Sequence, residues 1–203
     1  MASEHIYKQF DSDLEAIRAK VLEMGTLVEE QTANAVKCLL NTDIKLAEQV
    51  MKRDDQINDL EVVIDEEVSL LIAKRSPAAG DLRNIMMMLK IITDLERMGD
   101  EAAKIARSTT RIFEDNRMSK PRFTEIKGMA KAVQGMIKTA LNSFARLDLS
   151  DTIDILEKDK QVDDDYRSCM RQLLTFMLED PRTISMSLES MFIAKSLERI
   201  GDH

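Results

Sequence analysis

Apolar residues recur along almost the whole chain at alternating spacings of three and four, the period of helices that bury one face. In the first segment Leu14, Ile17, Val21, Met24, Val28, Ala35 and Cys38 keep this spacing, with polar Gln31 on the same seam, and the pattern breaks at Asn41-Thr42-Asp43, which offers cap chemistry. A second segment carries Leu46, Val50, Ile57, Leu60, Ile64 and Leu71 and stops before Ser76-Pro77. A third runs from Leu82 through Ile85, Leu89 and Ile92, then on past Ala103 and Ala106 to about Glu114. The stretch Asp115 to Pro121 is polar, holds a proline and reads as the linker. A fourth segment shows Ile126, Ala130, Val133, Ile137, Phe144 and Leu147. A fifth, after Ser150, shows Ile155, Val162, Tyr166, Cys169, Leu173 and Phe176, and Asp180-Pro181 opens a sixth that is still running at His203. Pro77, Pro121 and Pro181 all fall at these predicted boundaries, where a missing N–H does least harm.

The six helices form two similar halves. Leu95-Glu96-Arg97-Met98-Gly99-Asp100 returns as Leu197-Glu198-Arg199-Ile200-Gly201-Asp202. Upstream, Arg53-Asp54-Asp55-Gln56-Ile57-Asn58-Asp59 is echoed by Lys158-Asp159-Lys160-Gln161-Val162-Asp163-Asp164, and Ser76-Pro77 and Asp180-Pro181 sit at corresponding places between the motifs. A repeat in this order predicts an all-α fold of two tandem antiparallel three-helix bundles, residues 1–118 and 119–203, related by internal duplication. Helices of about 25 to 35 residues, each about 40–50 Å long, make the expected molecule elongated.

Composition agrees with this architecture and narrows the function. The 203 residues are 44% hydrophobic and 33% charged, with only 6 Gly and 3 Pro, too few for a turn-rich β fold. Trp is absent and Met numbers 14, which suits irregular helix interfaces. The net charge of -8 and the absence of a dense Lys/Arg run argue against nucleic acid as a partner. The polar start is no signal peptide, and the longest apolar run, Ile85 to Leu89, is far short of the ~20 residues that span a bilayer. Cys38 and Cys169 fit no zinc or redox spacing and read as buried thiols in a reducing compartment, so a cytoplasmic protein is expected.

The repeated carboxylates are the candidate chemistry. Glu96 and Asp100 lie one turn apart on one helical face, as do Glu198 and Asp202. Like charges at that spacing cost a helix about a few tenths of a kcal/mol, and an interior glycine about 1 kcal/mol against alanine. Asp54 with Asn58, and Asp159 with Asp163, have the same spacing on the preceding helices. An antiparallel neighbour would bring Asp54, Asn58, Glu96 and Asp100 together in one half, and Asp159, Asp163, Glu198 and Asp202 in the other. Oxygen-rich clusters of this kind suit Mg, Ca, Mn or iron. Spacing alone favours the plainer alternative of a solvated charged face, with Arg97 and Arg199 pairing locally and Gly99 and Gly201 allowing close helix approach. Catalysis is not expected. There is no Glu-x-x-His, nucleophile elbow, GxGxxG or P-loop, and His5 and His203 read as exposed or incidental.

The two ERxGD motifs, each preceded by an Asp-x-x-x-Asn/Asp pair and a proline corner, resemble the PhoU family of phosphate-transport regulatory proteins. So do Ile64-Asp65-Glu66, Ile72-Ala73-Lys74-Arg75 before Pro77, and Leu178-Glu179-Asp180 followed by Arg182-Thr183-Ile184. The resemblance covers both halves in order. It implies a dimer of double three-helix bundles and a negative regulator of phosphate uptake and of the phosphate-starvation response. Such a regulator stands between the phosphate ABC transporter, chiefly its ATPase subunit, and a membrane sensor histidine kinase. It would meet the membrane only through those partners. It also implies, for some members, iron or zinc clusters on acidic pairs matching Glu96, Asp100, Glu198 and Asp202. Asn58 stands where the second half has Asp163, so weaker metal affinity is expected in the first half. Family members continue the last helix for several turns beyond the position of His203, so a longer native protein is expected. Two other functions stay open beside the regulator: a metal-binding helical bundle using the duplicated acidic clusters, and a plain helical scaffold.

Overall fold

In a computed structural model the chain is described over residues 2–114 and 124–203, with the side chains of residues 2–8 and 114 excepted. The predicted linker Asp115 to Pro121, the division at residue 118 and the side chain of His5 lie outside these residues. The elements are α1 (Ala2–Asn41), α2 (Ile44–Arg75), α3 (Ala79–Glu114), α4 (Thr124–Arg146), α5 (Thr152–Glu179), a 3₁₀ turn (Pro181–Thr183) and α6 (Ile184–Asp202). The corners follow the cap chemistry. Asp43 accepts the Leu46 amide at 3.0 Å to start α2. Asp180 caps the Pro181 turn by accepting the Arg182 amide at 3.0 Å. Thr42, Ser76 and Leu147 end their helices in the left-handed region, with φ of 59°, 46° and 53°. Three corners therefore turn on non-glycine residues at about 1–2 kcal/mol each, while Gly25, Gly99 and Gly201 lie where another helix comes close.

α1, α2 and α3 each pack against the other two, as do α4, α5 and α6. The halves dock side by side through α3 against α6 and α1 against α4, and one continuous core crosses both. Each fully buried aliphatic side chain in it contributes about 1.5–3 kcal/mol relative to exposure. α3 serves both halves, and its burial shows why. Besides the predicted seam it buries Met98, Ala102, Ile105, Thr109 and Ile112. A helix that meets α1, α2 and α6 needs more than one apolar stripe.

The predicted seams hold except near helix ends. Leu82, Leu147 and Phe176 are exposed, because they lie in the first turn of α3, just past the end of α4 and in the last turn of α5, beyond the reach of a packed neighbour. At the α1/α4 contact, Leu141 sits where a side chain at Gly25 would be. Arg18 donates to the Phe144 and Ala145 carbonyls at 2.9 and 2.7 Å, satisfying C-terminal acceptors that the helix leaves free.

Candidate functional site

In the first half, α2 and α3 bring Asp54, Glu96 and Asp100 into one electrostatic neighbourhood, with Gly99 making the approach possible. A Cβ on Gly99 would lie 2.9 Å from Ile57 Cδ1 and 3.3 Å from Asp54 Oδ1. Burial, opposed by a hydrogen bond from Gln31 and reinforced by the charge of Asp100, holds the Asp54 carboxyl above its ordinary range. Glu96 is raised by burial and then by Asp100, Glu61 and Asp54. Asn58, the fourth predicted member, is exposed. Asp100 is exposed too, with Lys104 Nζ 3.6 Å from its carboxylate.

The second half repeats the layout with different partners. A Cβ on Gly201 would meet Asp159 Oδ1 at 3.6 Å. Burial, then the charges of Asp202 and Asp163, push the Asp159 carboxyl up. Glu198 has its side chain only 12% exposed and accepts from Lys195, whose ammonium lies 5.4 Å from the centre of the Tyr166 ring. Arg167 stands 3.6 Å from Asp163.

The resemblance implies metal clusters on these acidic pairs. Among the described residues no group of three or more His, Cys, Asp or Glu stands close enough together to hold a metal ion. Four of the carboxylates are engaged instead by the chain's own donors: Asp54 by Gln31, Asp100 by Lys104, Glu198 by Lys195 and Asp163 by Arg167. In this arrangement the residues do not fit a metal centre.

The strongest polar feature is one the sequence pattern missed. Glu101, with its side chain only 4% exposed, accepts from Ser196 Oγ at 2.7 Å and pairs with Arg199 at 2.7 Å and Lys104 at 3.1 Å, joining α3 to α6. Arg199 thus reaches across to the other half rather than pairing locally, whereas Arg97 does pair locally, with Asp94 at 3.8 Å. His203 is likewise not an exposed, incidental histidine. It is 18% exposed, with Nδ1 3.5 Å from Asp94 Oδ1 on α3. Beside it a cleft of about 330 Å³ opens between α3, α4, α5 and the end of α6, lined by Leu95, Met136, Phe144 and Ile155, among others. The signal for Glu101 was the second stripe on α3, Met98-Ala102-Ile105, which flanks it.

Fold and site together define an all-helical, internally duplicated bundle whose repeated acidic motifs tie helices to one another. The PhoU domain model matches residues 21–109 and 126–203. The chain is 45% identical over 202 residues to the phosphate-specific transport system accessory protein PhoU homolog of Pseudomonas aeruginosa, covering 99% of this chain and 83% of that protein. It is 40% identical over 200 residues to the accessory protein PhoU of Escherichia coli K12, covering 98% and 82%. The crystal structure of PhoU from Pseudomonas aeruginosa superposes with a TM-score of 0.92 at 44% identity, over 96% of this chain and 92% of that one. That of the phosphate transport system regulatory protein PhoU from Streptococcus pneumoniae gives 0.86 at 28% identity, over 95% and 90%. The chain belongs to the PhoU family.

Proposed function

We propose that this chain is a negative regulator of phosphate uptake and of the phosphate-starvation response, acting as an adaptor between the phosphate ABC transporter and a sensor histidine kinase. The observation that carries the reading is the match over 98–99% of the chain to proteins named as accessory to a phosphate-specific transport system. The site chemistry supports a binding role over catalysis. Four of its carboxylates are engaged by Lys, Arg and amide donors, three within a single helix and one, Asp54 with Gln31, between α2 and α1. Among the described residues no helix is long and apolar enough to cross a membrane, so contact with a membrane-bound transporter would run through its ATPase subunit. The adaptor is taken to work in the cytoplasm, as a dimer.

A clean deletion with the transporter genes intact is expected to derepress a phosphate-starvation reporter in phosphate-rich medium. Purified protein is expected to bind the ATPase subunit or the kinase's cytoplasmic portion, and not liposomes or duplex DNA at physiological salt. Unchanged reporter output, or binding to lipid or DNA with neither protein partner retained, would sink the proposal.

A further inference from the structure

The two acidic seams differ most at a residue of α1 that carries no charge. Gln31 is 1% exposed, and a buried amide is costly unless its polar atoms are bonded. Its Nε2 donates to Asp54 Oδ1 at 3.1 Å and to the Gly99 carbonyl at 3.2 Å. A carboxylate and a backbone carbonyl are both acceptors, so the atom facing them must be the NH₂ group. Its two N–H bonds therefore bridge a carboxylate on α2 and a carbonyl on α3, two acceptors that need a positively polarised partner between them. The missing Cβ of Gly99 leaves room for Asp54 to approach the α3 backbone there. On the exposed side of the cluster, Lys104 stands beside Asp100.

Among the described residues the second half has no such amide. The groups closest to a Cβ on Gly201, besides Asp159, are Met136 at 3.7 Å and Val133 at 3.8 Å, both on α4. Among the described residues no side chain donates a hydrogen bond to Asp159, whose charged neighbours are Asp202 and Asp163.

We propose that Gln31 is a built-in neutral stand-in for a cation: it closes the first acidic cluster so that α1, α2 and α3 are held without a divalent ion. The corollary is that one substitution, Gln31→Glu, converts this cluster into a divalent-cation site. The inference does not depend on the regulatory function and is tested without it. It concerns only the first half, so the second is silenced by working in an Asp159→Asn/Asp202→Asn background. Chelator-treated protein is melted with and without Mn²⁺, and bound ion is counted by native mass spectrometry.

The background protein is expected to show no Mn²⁺-dependent shift and no bound ion. Gln31→Met, which supplies the apolar contact found in the second half, should melt lower by the same amount with or without Mn²⁺. Gln31→Glu should melt lower in chelator, because two carboxylates then face each other without a donor. Mn²⁺ should raise its melting temperature by about 5–10 °C at a hundredfold excess over Kd, with a single ion retained. Binding of Mn²⁺ by the background protein that Asp54→Asn abolishes would overturn the closure. A folded Gln31→Glu variant with no response to Mn²⁺, or one that fails to fold even when Mn²⁺ is present, would overturn the conversion.

Discussion

The runs Glu96–Glu101 on α3 and Glu198–His203 on α6 begin alike and end in different environments. The repeat equates Asp94 with Ser196 and Glu101 with His203, and because the two helices cross antiparallel, the crossing holds two related rungs. One is Glu101 with Ser196, at 2.7 Å; the other is Asp94 with His203, at 3.5 Å. Exchanging the two halves about a local two-fold turns one rung into the other. The first is buried and recruits Arg199 and Lys104, whereas the second sits at the rim, with Asp94 shared between His203 and Arg97. A duplicated motif has thus yielded two copies of one geometry with unequal weight. What decides the weight is depth in the packing, since a buried carboxylate that loses its donors suffers far more than one that water can reach.

The inequality is open to direct measurement. Glu101→Ala removes the shared acceptor of three donors in the inter-half contact, and should lower stability in urea denaturation by about 2–3 kcal/mol. Asp94→Ala removes a half-exposed partner and should lower it by less than about 1 kcal/mol, as exposed pairs usually do. The losses should be roughly additive if the rungs act independently. Equal losses from the two variants would mean that the rungs are equivalent and that burial does not set their worth.

Much of this arrangement was legible along the chain, and the unread part has a common cause. Helix boundaries were readable because Asp43, Ser76-Pro77 and Asp180-Pro181 act locally, through caps and a missing N–H. The seams were readable because each helix buries a stripe against neighbours in its own half. Arg199, by contrast, reaches Glu101 only because the halves dock, and nothing within one helix specifies that. Gln31 was caught by the apolar spacing as a position, but its hydrogen bonds depend on where α2 and α3 place Asp54 and the Gly99 carbonyl. Four of the eight candidate metal ligands prove to be engaged by Lys, Arg or Gln, an outcome that carboxylate spacing cannot distinguish from a metal site.

The two motif glycines sharpen the comparison at smaller scale. A methyl group on Gly99 would press on Ile57, which is itself buried, and on the oxygen of Asp54 that Gln31 holds. The gain in helix propensity, about 1 kcal/mol, is set against overpacking of about 1–3 kcal/mol. Gly99→Ala should therefore be destabilising on balance, by about 1 kcal/mol. At Gly201 the nearest atoms stand at ordinary contact distance, 3.6 to 3.8 Å. Gly201→Ala should then gain stability, by up to about 1 kcal/mol of helix propensity. Thermal melts of the two variants check the opposite signs; a stabilising Gly99→Ala would show that Ile57 and Asp54 can yield.

The smallest effect expected is the charge on Asp159. Burial, then Asp202 and Asp163, raises its carboxyl above the ordinary value of 3.8. A carboxyl whose pKa is higher in the folded chain binds protons more tightly there than in the unfolded chain. Its protonation therefore adds stability that is complete below 3.8 and is lost as pH climbs through the raised value. At neutral pH the charged form is a burden, and Asp159→Asn should relieve it. Relief of like-charge contacts of this kind is worth about a few tenths of a kcal/mol, or about 1 °C in melting temperature for a chain of this size. The gain should shrink as the pH is lowered toward 4, where the native carboxyl is itself increasingly neutral. In the first half, Asp54→Asn offers the contrast. There the raised carboxyl already accepts from Gln31, so removing its charge weakens a bond while it relieves repulsion from Asp100. Its gain at pH 7 should be smaller than that of Asp159→Asn or absent. An equal gain from both would mean that the Gln31 amide contributes nothing to holding Asp54.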